Sequence, residues 1–352
     1  MAVRVAINGP GRTGKCFIWS WAERKREKAT DVDIVAINGV RNVEDEKFLR
    51  NFVELLKYDS THGHRFENIP YGRKEDGTPW IEILGQKIYL YNSREDLSKL
   101  PWGKHDVDVV IESTGKFRKR EQVEGHLKAG ARKVIVSAPG KGGIETSVVL
   151  GVTDMDKIPK DERVIDCASC TTNAITPVVK VVDDNWKIKR GSIITVHAPT
   201  DDQRILDSSH KDIRRARSLL NNIIPTTTGA AKAVSKVMPN LKGKLDALAF
   251  RVPGALTGSI VGLIADVERE TTKDEINKVF EEASENKYKG ILATSDNEIV
   301  SSHIIGRGES SIVDKTLTNV VDNNQVMVWS WYDNEFGYST RLVEVAEKFG
   351  KM

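Results

Sequence analysis

A chain of 352 residues is longer than one compact core usually holds, so two domains are expected. Its 39% hydrophobic and 29% charged content is that of a folded globular protein and excludes a disordered or fibrous chain. The net charge of +3 comes from 53 basic and 50 acidic residues interspersed along the sequence, with no basic run interleaved with aromatics, which argues against nucleic acid as a partner.

Three cysteines, Cys16, Cys167 and Cys170, are too few to staple a chain of this size, and their odd number favours a reducing compartment. The first residues lack the basic and apolar regions of a signal peptide. No run reaches the ~18 apolar residues of a membrane helix. A cytoplasmic protein without membrane attachment is expected.

Residues 3–8 are a short apolar run ending in a glycine-rich turn, and residues 15–27 have the spacing of a helix. Ile34 to Ile37, Val107 to Ile111, Val134 to Val136 and Ser147 to Leu150 are further β-branched runs. Apolar strands alternating with helices predict a parallel sheet covered on both faces.

Past Cys170, residues 192–197, 246–252, 258–267 and 325–332 show partial polar-apolar alternation, the pattern of a largely antiparallel sheet. Asn334 to Phe349 returns to helical spacing. The stretch 201–224 has no clear period and reads as a long functional loop.

Gly9-Pro10-Gly11-Arg12-Thr13-Gly14 spells G-x-G-x-x-G between a strand and a helix, where glycines let backbone amides approach a pyrophosphate. The same residues with Lys15 resemble a triphosphatase loop, but Cys16 stands where a magnesium-binding hydroxyl is needed. No acid follows Asn38. Gly39 and then Arg41 occupy the turn that meets the adenosine ribose, so a 2′-phosphate is not repelled and Arg41 is placed to pair with it. The alternative is that Arg41 is a solvated charge.

Ser169-Cys170-Thr171-Thr172-Asn173 is preceded by a strand and followed by helix-forming residues, which sets Cys170 near a helix N-terminus where the dipole favours its thiolate. Pro177 falls early in that helix. His197 ends an apolar run 27 residues on, within reach of serving the thiol as general base. Taken singly, each fits a structural role as well.

Ser169 to Asn173 resembles the active-site signature of the glyceraldehyde-3-phosphate dehydrogenase family. Leu56 to Gly63, Glu112 to Gly115, Ser137-Ala138-Pro139, Ile224 to Ala233, Arg251-Val252-Pro253 and Trp331 to Tyr338 match further blocks of that family in order. The resemblance implies an α/β protein, a Rossmann dinucleotide-binding domain over 1–169 and 334–352 plus an α+β catalytic domain over 170–333.

It also implies that Cys170 attacks an aldehyde, that His197 takes the proton, and that phosphate releases a thioester as an acyl phosphate. Glyceraldehyde 3-phosphate and inorganic phosphate would occupy anion pockets formed by Thr200 and Arg251, and by Ser169, Thr171, Arg214, Thr228 and Gly229. NADP or NAD, with NADP favoured, would be held by Gly9, Gly11, Arg12, Thr13, Ser113, Thr114, Ser137 and Asn334, with Gly39 and Arg41 at the ribose. The resemblance implies no metal, and a homotetramer in which 201–224 meets a neighbouring subunit.

Several positions depart from the family pattern: Pro10, Gly39, the long 41–50 connection, Asp201, Gly254 to Gly258, and Cys167 in a C-x-x-C with Cys170. The last leaves a reversible disulfide as a secondary reading. Competing functions are an erythrose-4-phosphate dehydrogenase and a non-catalytic nucleotide- or nucleic-acid-binding protein on the same scaffold.

Overall fold

The computed structural model describes residues 2–93 and 96–352. They form two compact units. The first comprises residues up to Val148, Asp154–Ala168 and Ser339–Met352; the second comprises Val149–Thr153 and Ser169–Tyr338.

In chain order the first unit contains β1 (Val3–Asn8), α1 (Arg12–Arg26), β2 (Val32–Asn38) and α2 (Glu46–Lys57). A two-residue ladder of β3 (Tyr58–Asp59) and β4 (Gly63–His64) comes next, then β5 (Tyr71–Arg73), β6 (Pro79–Ile83) and β7 (Gln86–Tyr91). The unit continues with β8 (Val109–Glu112), α3 (Arg120–Lys128), β9 (Lys133–Val136) and β10 (Val164–Asp166).

Eight of these strands make one sheet in the order β10-β9-β8-β1-β2-β7-β6-β5. Pairing is parallel from β10 to β7, while β6 and β5 are added antiparallel at one edge. Val5, Ile7, Val109 and Ile111 are fully buried, as expected of strands covered on both faces.

The helix expected over 15–27 begins three residues earlier, at Arg12, because Gly11 already has the extended backbone of an N-cap. Ser147 to Leu150, expected as a strand, contributes only an isolated bridge between Ser147 and Asp166.

The second unit opens with α4 (Cys170–Trp186), β11 (Ile188–His197), β12 (Ile224–Thr227) and α5 (Ala230–Val237). It goes on through β13 (Leu245–Arg251), β14 (Ser259–Val267), α6 (Lys273–Glu285), β15 (Leu292–Ser295), β16 (Ser311–Asp314), β17 (Asn319–Val321) and β18 (Gln325–Tyr332). The sheet order is β12-β13-β11-β14-β18-β16-β15, with β17 on β18.

This sheet is largely antiparallel, but β11 runs parallel to β13, and β15 to β16. Ala174, Val178, Val182 and Trp186, spaced by four along α4, join one core with Ile193, Val261, Leu263 and Val328. Pro177 sits at mid-helix rather than early, and having no N–H it donates no hydrogen bond to the preceding turn.

The last helix, α7 (Phe336–Lys351), starts two residues later than its apolar spacing suggests. Asp333 Oδ1 accepts from the amides of Glu335 and Phe336 and caps it. Residues 201–223 contain no helix or strand beyond the bridge of Arg204 with Ser218.

Candidate active site

Cys170 is the first residue of α4. Ser169 precedes it with an extended backbone, and its hydroxyl accepts the Thr172 amide at 3.1 Å while pairing with the Thr172 hydroxyl at 2.8 Å. This cap forces α4 to begin at the cysteine. Cys170 Sγ lies 3.5 Å from His197 Nε2.

His197 ends β11 and Arg251 ends the parallel neighbour β13, and the two are paired in register. His197 Nδ1 is 2.6 Å from the Ala198 carbonyl, which also accepts from Arg251 Nη1 at 2.9 Å. Arg251 Nη1 touches Nδ1 as well. The acceptor-only carbonyl calls for a proton on Nδ1 and the donor-only guanidinium for a lone pair; the tautomer in which Nδ1 donates to Ala198 is the one that presents an Nε2 lone pair to the thiol, the form a general base requires.

Burial, and then Arg251, push His197 down to about 3. Burial also raises the Cys170 thiol, opposed by Arg251 and by hydrogen bonds from Thr171. The helix terminus alone had suggested a ready thiolate. Burial thus works against the thiolate of Cys170 and against the imidazolium of His197.

Tyr332, from the end of β18, was not singled out by sequence reasoning. Its hydroxyl lies 2.9 Å from Thr171 Oγ1 and 3.0 Å from Thr195 Oγ1, and its ring meets His197 edge-on at 5.8 Å. Gln203 was missed too: its Oε1 accepts from the Thr200 amide at 2.8 Å and hydroxyl at 3.1 Å. No spacing rule marks either residue: the partners of Tyr332 lie more than a hundred residues away, and Gln203 bonds a neighbour within a stretch that has no clear period. Among the described residues, the buried Arg251 Nε and Gln203 Nε2 have no hydrogen-bond partner.

Asn334 Oδ1 accepts the hydroxyls of Ser259 at 2.8 Å and Thr257 at 3.2 Å, leaving its Nδ2 as the donor. Thr228 and Gly229 stand at the start of α5, where a Cβ added to Gly229 would meet nothing within 4 Å. Arg214 is exposed, and among the described residues its guanidinium makes no ion pair. Its neighbour Arg215 is tied down: it donates to Thr226 Oγ1 at 2.7 Å and pairs with Asp202. Arg217 pairs with Asp207 at the surface.

In the first unit the glycines of the β1–α1 turn do different work. Gly9 has φ +100°, and a Cβ there would fall 2.8 Å from Thr114; one on Gly14 would strike the Gly9 carbonyl at 2.4 Å. Gly11 faces open space, and α1 has no side-chain cap, so the first amides of α1 are unobstructed. That combination fits a pyrophosphate.

Arg12 and Thr13 begin α1, and Arg12 forms an ion pair with the buried Asp59. Ser113 Oγ donates to the Gly9 carbonyl at 2.8 Å, and the Ser137 amide donates to the Glu112 carbonyl. Gly39 adopts φ +95°, and Arg41 is exposed. Asn38 is unavailable to a ribose: its amide holds Ser93 and Asn8. All three cysteines are free thiols, and burial raises that of Cys167.

A parallel-sheet unit with a glycine-lined helix start and a unit presenting a capped cysteine against a histidine are the parts expected of a dinucleotide-dependent oxidoreductase. The sequence profile "Glyceraldehyde 3-phosphate dehydrogenase, NAD binding domain" matches residues 3–120, and that of the C-terminal domain matches residues 169–334. Glyceraldehyde-3-phosphate dehydrogenase of Mycobacterium avium is 46% identical over 100% of this chain and 99% of its own. The Geobacillus stearothermophilus enzyme is 44% identical over 98% of both chains. The chloroplastic A form from Zea mays is 45% identical over 98% of this chain and 82% of its own. The chain belongs to the glyceraldehyde-3-phosphate dehydrogenase family.

Proposed function

We propose that this chain oxidises glyceraldehyde 3-phosphate with inorganic phosphate to 1,3-bisphosphoglycerate in glycolysis or its reversal. The observation that carries this reading is Cys170 Sγ at 3.5 Å from a His197 nitrogen whose ring is fixed from behind by Ala198.

A bound nicotinamide dinucleotide supplies the hydride acceptor. Cys170 forms a bond to the aldehyde carbon, and its proton goes to His197 Nε2. Nε2 passes that proton to the carbonyl oxygen, which gives a thiohemiacetal hydroxyl, and takes it back as the hydride leaves and the thioester forms. Phosphate then attacks the thioester carbon, and the Cys170 thiolate leaves.

Arg251, with its unpartnered buried Nε, and Thr200 bind one phosphate, with Gln203 orienting Thr200. Ser169, Thr171, Arg214, Thr228 and Gly229 receive the other, an arginine fork being well matched to phosphate. Gly9, Gly11, Arg12, Thr13, Ser113, Thr114, Ser137 and Asn334 hold the dinucleotide.

NADP is favoured over NAD, because no carboxylate faces the ribose and Arg41, exposed and without an ion pair among the described residues, is available to a 2′-phosphate. Ile205, Leu206, Ile213, Leu220 and Ile223 are exposed along 201–224, which supports a homotetramer that covers them. Among the described residues no helix is long and apolar enough to cross a membrane. We place the enzyme in the cytoplasm.

The test is a steady-state assay with glyceraldehyde 3-phosphate and with erythrose 4-phosphate, each with and without phosphate. The account requires phosphate-dependent turnover that prefers the shorter aldehyde. Preference for erythrose 4-phosphate would reassign the substrate, and no turnover with either would leave a binding protein.

A further inference from the structure

Beneath the glycine turn of the first unit lies a polar cluster to which none of the roles above is assigned beyond Thr114. Asn8, Asn38 and Glu112 are the last residues of β1, β2 and β8, and the sheet register sets Asn8 opposite Asn38 on one side and Glu112 on the other. His126 from α3 and Trp102 complete the group. All five are at most 1% exposed, so each polar atom must find its partner within the protein.

Asn38 Nδ2 donates to Asn8 Oδ1 at 2.7 Å, and Asn8 Nδ2 donates to Glu112 Oε2. His126 Nε2 lies 3.1 Å from the same carboxylate oxygen. Glu112 Oε1 accepts the Thr114 amide at 2.9 Å and the Thr114 hydroxyl. Trp102 Nε1 donates to His126 Nδ1 at 3.0 Å.

The proton arrangement follows from what each group can do. An indole nitrogen only donates, so His126 Nδ1 carries the lone pair and Nε2 carries the proton. That proton goes to Glu112. Every partner of Glu112 is then a donor, which an acceptor-only carboxylate satisfies and an amide of the same shape does not. The chain of dependence ends at Thr114, whose amide nitrogen would be 2.8 Å from a Cβ on Gly9. The Gly9 amide is itself held by the Asn38 carbonyl at 2.9 Å.

We propose that Trp102, His126 and Glu112 form a tautomer lock, a set of positioning residues that fixes Thr114 against Gly9 and thereby shapes the glycine turn for a dinucleotide pyrophosphate. The inference rests on reading the first unit as the dinucleotide-binding unit.

Calorimetric titration of the full chain with NAD and with NADP tests it without reference to turnover. Glu112→Gln puts an NH2 among donors and is expected to raise the dinucleotide Kd about tenfold, the usual scale for loss of a supporting hydrogen bond. Adding Trp102→Phe frees His126 Nδ1 to take the proton, so that Nε2 can accept from the introduced amide. The double variant is therefore expected to bind more tightly than Glu112→Gln alone.

A double variant that binds as weakly as the single, or more weakly, overturns the lock, since a purely packing role makes the two losses add. Should Glu112→Gln not fold, His126→Gln and His126→Leu carry the test. The amide nitrogen of the first reaches the place of Nε2 and keeps Kd within about threefold of the parent, while the second raises it about tenfold. Equal Kd values in both overturn the lock. A parent that binds neither dinucleotide overturns the reading beneath it, whereas a binding parent with unchanged Glu112→Gln overturns the lock alone.

Discussion

Arg251 and His197 close two neighbouring parallel strands at the same level, and both side chains converge on the Ala198 carbonyl. A cation thus sits behind the base and beside the nucleophile. It lowers the Cys170 thiol against the effect of burial, and it also discourages protonation of His197.

Arg251→Gln removes that cation while keeping a polar side chain. Alkylation of Cys170 by iodoacetamide at pH 8 should slow by roughly tenfold, because the thiol loses the cation that favours its thiolate. KM for glyceraldehyde 3-phosphate should rise as well. An alkylation rate equal to that of the parent would show that Arg251 does not act on the thiol.

His197→Asn keeps a hydrogen-bonding group near Ala198 but removes the base. The pre-steady-state rate of reduced dinucleotide formation should fall by about 10²–10⁴-fold, the range for loss of a positioned proton acceptor. Dinucleotide affinity should hold. A rate within a few-fold of the parent across pH 6 to 9 would mark His197 as structural.

The same residue should leave a signature in stability. In the folded chain His197 is held at about 3 by burial and Arg251, against a value of 6.5 for an ordinary histidine. Between these values the unfolded chain carries a proton that the folded chain does not, so stability falls as pH drops from 6.5 towards 3. One such group changes the unfolding free energy by about 1.4 kcal/mol per pH unit. His105, held at about 4 by burial and then by Lys74 and Arg4, acts in the same direction. Urea denaturation of His197→Asn between pH 6 and 5 should therefore show a slope shallower by one proton, and identical slopes would refute the burial of a neutral imidazole.

Much of this was legible in the chain. Continuous β-branched runs announced the parallel sheet, and Ser169 to Asn173 with His197 announced the thiol and imidazole that the structure brings to 3.5 Å. Other features depend on tertiary contacts that no window of sequence contains. Tyr332 reaches Thr171 and Thr195 from a strand more than a hundred residues away, and Arg215 rather than Arg214 is tied to β12. Ser147 to Leu150 has strand composition, but its pairing stops at an isolated bridge of Ser147 with Asp166.

The proposed cofactor choice turns on the exposed Arg41 and the half-buried Gly39. Arg41→Ala should lower kcat/KM for NADP more than for NAD, by about tenfold in their ratio, since it removes a charge-assisted contact worth 1.5–3 kcal/mol at most. Gly39→Asp supplies the missing carboxylate but also strains a backbone at φ +95°, so Arg41→Ala is the cleaner probe. A parent that prefers NAD by more than ~100-fold, roughly 2.7 kcal/mol of discrimination, would contradict the assignment.

The covalent route through Cys170 is tested most directly by mixing enzyme, oxidised dinucleotide and glyceraldehyde 3-phosphate without phosphate, and following reduced dinucleotide and intact protein mass together. The account predicts a rapid burst of about one equivalent per active site, the kinetic mark of an accumulating acyl-enzyme. The protein should gain one 3-phosphoglyceroyl group, borne on the peptide that contains Cys170, and should lose it when phosphate is added. Cys170→Ser should show neither burst nor adduct while still binding the dinucleotide. Steady turnover without phosphate and without an adduct, or a burst that survives Cys170→Ser, would contradict it.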